Sequence, residues 1–137
     1  MMRLLACLLS LATPLAAADP SITRLAPSAL DWATTPEGVA FAPIEGDRFA
    51  GAYMAMVRLP AGLKSPAHVK SANMYGLVVE GTMTHAPDTG GETRPLPPGA
   101  FYKIPAGLAH VSSCISQVPC VTFLYQDGAF DFLPVTR

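Results

Sequence analysis

Two histidines, His68 and His110, stand in segments built alike, each closing a stretch punctuated by glycine and proline: Gly62 to Pro66 before the first, Gly99 to Gly107 before the second. A neutral imidazole keeps one lone pair, with which it can ligate a divalent ion, accept a hydrogen bond or take a proton near neutral pH. His68, Lys70 and Met74 share parity along the chain, as do His110 and Cys114. On extended strands each set points to one face of the sheet, which in a barrel is the inside, so the two imidazoles are expected to meet. Two imidazoles alone make an incomplete metal shell, because stable sites use three or four protein ligands. Met74 and Cys114 would extend them into a soft set suited to copper or zinc, and ordinary core packing is the competing role for Met74. Lys70 works against a metal: its ammonium has three donors and no lone pair, so it repels a cation and attracts an anionic small molecule such as a carboxylate. The competing placement puts the Lys70 head in water at the barrel mouth.

Tyr53, Tyr75 and Tyr102 lie on apolar segments and are expected to line the same interior as ligand contacts, with plain core packing as the alternative. His85 stands outside both segments and is expected at a surface or a strand edge.

Proline or glycine interrupts almost every candidate helical stripe, so the chain reads as all-β with short strands. Strands are expected near Ile22 to Leu25, Asp31 to Ala33, Val39 to Pro43, Tyr53 to Leu59, Ala67 to Val69, Met74 to Val79, Thr82 to Ala86, Gly91 to Leu96, Ala100 to Ile104, His110 to Ser113, Cys120 to Tyr125 and Phe130 to Leu133. Turns such as Glu80-Gly81 and Asp127-Gly128 separate them. Many short strands at even spacing predict a barrel or a two-sheet jelly roll.

The two histidine segments resemble the two halves of the cupin motif. The second keeps Gly99, Pro105, Gly107 and His110 at the motif spacing and departs at Cys114, where asparagine is usual; the first keeps Gly62, His68 and Gly81 but has Lys70 at the second histidine and Met74 at the glutamate. The resemblance implies a double-stranded β-helix (jelly-roll) barrel, with the first motif over residues 62–81 and the second over 99–114. It implies one divalent metal ion (zinc, copper or iron) on His68 and His110, and a homodimer. Two functions are compatible with it: a module binding a small molecule, with or without metal, or a metal-dependent enzyme such as an oxygenase or isomerase. The missing glutamate and second histidine favour binding.

Residues 1–18 read as a secretory leader: Met1-Met2-Arg3 is a short positive start, Leu4 to Leu15 an apolar core, and Ala16-Ala17-Ala18 a small-residue cleavage site. This predicts a periplasmic or secreted protein with no membrane attachment after cleavage, and a single domain over residues 19–137. The formal net charge is −1 with no lysine or arginine cluster, which argues against a nucleic-acid partner. In an oxidising compartment Cys114 and Cys120 are expected to form a disulfide, since a hairpin loop between them would set them face to face across a ladder. The rival is that Cys114 stays a thiolate ligand.

Overall fold

The computed structural model describes residues 21–136; the predicted leader lies outside the described residues. Among the described residues ten strands form two antiparallel sheets. The first has six strands, β1 (Ala33–Thr34), β2 (Ala40–Glu45), β3 (Tyr53–Leu59), β9 (Cys120–Gln126), β5 (Met74–Glu80) and β7 (Phe101–Ile104), in that spatial order. The second has four, β10 (Leu133–Pro134), β4 (His68–Val69), β8 (His110–Cys114) and β6 (Met83–Pro87). A single 3₁₀ turn, Pro27–Ala29, precedes them. Among the described residues no helix is long and apolar enough to cross a membrane.

The sheets face each other because their strands alternate. In β3, Tyr53, Ala55, Val57 and Leu59 are buried while Met54 and Arg58 are exposed; in β5, Met74, Gly76 and Val78 are buried while Leu77 and Val79 are exposed. The buried set joins Met83 and Cys114 of the second sheet in one apolar core.

Three expected strands differ. Ile22 to Leu25 pairs with nothing regular, and the chain enters the sheet only at β1. The last strand shifts to Leu133–Pro134, two residues pairing with β4. Gly91 to Leu96 is a loop held by a single bridge, in which Met83 and Leu96 exchange backbone hydrogen bonds of 3.0 and 2.8 Å. Gly90 and Gly91 adopt positive φ there and Pro95, Pro97 and Pro98 have no N–H to give a ladder, so the segment cannot continue as a strand.

Cys114 ends β8 and Cys120 begins β9, and the two form a disulfide with Cα atoms 5.6 Å apart. The bridge joins the two sheets, because β8 and β9 belong to different ones. It also removes Cys114 as a thiolate ligand. Replacing both cysteines by serine should lower stability by about 2 kcal/mol, the chain-entropy value for so short a ring. Urea unfolding of that variant against the oxidised parent measures the loss, and intact mass before and after reduction and alkylation confirms the bridge.

Candidate functional site

The sequence puts His68 and His110 on neighbouring strands, and their Cα atoms form the one register pair between β4 and β8. Their ring centroids are 4.2 Å apart, so the expected convergence occurs. His68 Nδ1 lies 3.0 Å from the Pro66 carbonyl and His110 Nδ1 lies 2.9 Å from the Leu108 carbonyl. A carbonyl only accepts, so in both rings Nδ1–H donates and Nε2 carries the lone pair. His110 Nε2 is buried and without a hydrogen-bond partner. Burial is the main reason that His68 is pulled down to about 4, opposed by its bond to Pro66 and reinforced by His110 and Lys70. Burial also lowers His110. Both rings are neutral at pH 7.

A cavity of about 800 Å³ opens between the two sheets. Tyr53, Met74, Tyr102, Thr122 and Leu124 form its deep wall on the first sheet, and His68, Met83, His85 and Ser112 face them from the second. Exposed residues, among them Glu37, Lys64 and Phe132, ring the mouth. His110 does not line this cavity; it sits behind His68.

His85 is the site residue that motif reasoning misses. Its Nδ1 is 2.9 Å from Ser112 Oγ, its ring centroid is 4.1 Å from that of Tyr102, and its Nε2 is buried and unpartnered. Burial, with the nearby His110 and His68, lowers it to about 4. The signal was parity: Met83 faces the core, and His85 lies two residues on along β6.

On the first sheet, Tyr53, Tyr102, Thr122 and Gln126 are committed to internal hydrogen bonds. Thr122 Oγ1 lies 3.0 Å from the Leu77 carbonyl, to which it donates, and so accepts the Tyr102 hydroxyl at 3.1 Å. Tyr53 donates to Gln126 Oε1 at 3.4 Å, and Gln126 Nε2 donates to the Ala129 carbonyl at 2.7 Å. Burial pushes both phenols up to about 12. Tyr75 does not reach the cavity. It alternates with Met74, and so lies on the outer face of β5 with its ring 5.8 Å from that of Tyr125.

Lys70 does not lean into water: it is 5% exposed and lines the cavity. Its Nζ donates to the backbone carbonyl of Asp131 and lies 3.9 Å from the ring centroid of Phe130. Burial lowers it to about 8, opposed by the charge of Asp131.

Two inward-facing imidazoles on paired strands of adjacent motifs are the arrangement that the sequence resemblance implied. Residues 22–130 match the family of ChrR cupin-like domains. The chain belongs to this cupin family. Solved structures share the cupin's fold. The polyketide cyclase RemF from Streptomyces resistomycificus is 17% identical, over 85% of this chain and 87% of that one, with a TM-score of 0.68. KdgF from a Halomonas species is 19% identical, over 77% and 94%, at 0.62. A sugar phosphate isomerase of the cupin superfamily from Silicibacter pomeroyi is 20% identical, over 77% and 75%, at 0.60. No curated protein matches the chain.

Cupins often hold a metal, and the donor set here does not fit a resident one. Among the described residues no three histidine, cysteine, aspartate or glutamate side chains gather where an ion could sit. Both rings keep an Nε2 lone pair, but the motif's third place carries the Lys70 amine and the fourth the Met74 thioether, and Cys114 is bridged.

Proposed function

We propose that this cupin is an exported binding protein for a small organic molecule with an apolar body and one acidic oxygen-bearing group. The observation that carries the reading is the cavity itself: apolar walls, a buried lysine amine and neutral imidazoles at one end, in a volume of about 800 Å³ that suits a ligand of drug size. The Lys70 ammonium supplies charge-assisted hydrogen bonds to the acidic group. The imidazole lone pairs accept from a hydroxyl, if the ligand has one. The disulfide is compatible with an oxidising compartment, which supports export to a periplasm or beyond.

The test uses 2-naphthoate and its uncharged amide, 2-naphthamide, titrated by calorimetry. The carboxylate should bind the more tightly, and Lys70→Met should weaken it by tenfold or more while leaving the amide unchanged. Equal binding of the two probes, or indifference to Lys70→Met, would overturn the acidic part of the reading; no binding of either would overturn the whole.

One observation favours a second reading, a metal-dependent enzyme of the oxygenase or isomerase kind: both imidazoles hold Nδ1–H on backbone carbonyls and leave Nε2 free, as metal ligands do. It predicts that the shell is one ligand short. Lys70→His removes the repelling amine and adds a third imidazole, so affinity for zinc, copper or iron should rise tenfold or more, about 1.4 kcal/mol per tenfold. Calorimetric titration of parent and variant checks this, and an unchanged affinity would mean that the residue at 70 does not share a centre with the imidazoles.

A further inference from the structure

Lys70 differs from the other lysines of the described chain, Lys64 and Lys103, which are exposed. It is 5% exposed, and no ion pair to it occurs among the described residues. Its Nζ has the Asp131 carbonyl for one hydrogen bond and the faces of Phe130 and Phe132, at 3.9 and 5.3 Å from the ring centroids, for neighbours. The carbonyl satisfies one of the three donors, and burial among apolar groups lowers the cost of giving up the proton, so the free amine is reached more readily than at an exposed lysine. A free amine in an apolar, accessible pocket is the nucleophile that condenses with carbonyl compounds. Phe132 also stacks on His68, ring centroids 4.1 Å apart and 16° from parallel, so a neutral imidazole with a free Nε2 stands across the same ring.

We propose that Lys70 captures an aldehyde or ketone in the cavity as a reversible imine. This rests on the reading of the cavity as a ligand site. The Lys70 ammonium first gives its proton to bulk water. The amine lone pair then forms a bond to the carbonyl carbon while the π pair moves to oxygen, which takes up a proton, and the nitrogen loses one, giving a carbinolamine. Protonation and departure of the hydroxyl as water, with loss of the remaining proton from nitrogen, leaves the C=N bond. No oxidant or reductant enters, and hydrolysis returns both partners.

The experiment treats the intact, oxidised protein with 2-naphthaldehyde and sodium cyanoborohydride, which reduces an imine to a stable secondary amine, and follows each lysine peptide by mass. Adduct should form at Lys70 at least tenfold faster than at Lys64 or Lys103, and excess 2-naphthoate should suppress it. In denaturant the preference should vanish. Labelling at Lys70 no faster than at the exposed lysines overturns the capture. If naphthoate then still binds in a Lys70-dependent way, the ligand reading stands alone; if it does not, both fall.

Discussion

Acidification from pH 7 to pH 5 should remove about 2–4 kcal/mol of stability through His68 and His85 alone, with His110 adding to the loss. Both are lowered from an ordinary value near 6.5 to about 4 by burial, so the fold binds their protons less readily than the unfolded chain does. Their contribution is fully present above pH 6.5 and is lost as the pH falls toward 4, at about 1.4 kcal/mol per pH unit for each histidine that titrates only on unfolding. Urea unfolding at a series of pH values measures it. The slope should correspond to two to three protons taken up, and His85→Gln, which keeps a hydrogen-bonding side chain beside Ser112, should remove one of them. A stability independent of pH across this window would mean that the imidazoles are protonated in the fold and serve as donors. The alkaline side behaves differently. Lys70, lowered to about 8, adds stability as the pH rises from there to its ordinary value, and Tyr53 and Tyr102, raised to about 12, withdraw it above pH 10.

The meeting of His68 and His110 is legible in the sequence because strand parity and the two turn-flanked motifs constrain both, and the register between β4 and β8 is what those constraints require. The same parity, applied throughout, corrects the placement of Tyr75 and gives the edge-strand residue His85 its direction. Met74 faces inward, so Tyr75 must face out; Met83 faces inward, so His85 must follow it into the cavity. What parity cannot supply is any contact set by the return of a distant loop. Lys70 gives its hydrogen bond to a carbonyl 61 residues further on, and Phe130 and Phe132 arrive with that loop. Whether the amine faces water, a metal or a ring is therefore decided by a segment with no motif of its own. The expected strand at Gly91 to Leu96 fails for a local reason: Gly90 and Gly91 turn the chain with positive φ, and Pro95, Pro97 and Pro98 lack the N–H that a ladder needs.

The inner wall of the cavity depends on one absent side chain, and Gly76→Ala should destabilise the protein by about 3 kcal/mol, the upper range for forcing atoms into a packed core. Gly76 lies directly across from Tyr102 in the β5–β7 register. A Cβ built there would stand 2.1 Å from Tyr102 Cζ and 2.3 Å from its hydroxyl oxygen, so the ring fills the space that any other residue at 76 would need. Glycine ordinarily weakens a strand interior, and a cross-strand aromatic laid over it restores the lost packing. Alanine must drive the ring out, breaking its 3.1 Å bond to Thr122 and removing the surface on which His85 rests. The clash is tested in a second background. Tyr102→Leu is itself destabilising, but it lacks the atoms that meet the new Cβ, so adding Gly76→Ala to it should be nearly neutral, a coupling of about 2 kcal/mol or more between the two sites. Urea unfolding of the four proteins measures the cycle. If Gly76→Ala loses as much stability without the ring as with it, strand backbone rather than Tyr102 sets the need for glycine, and the wall beside His85 is held by something else.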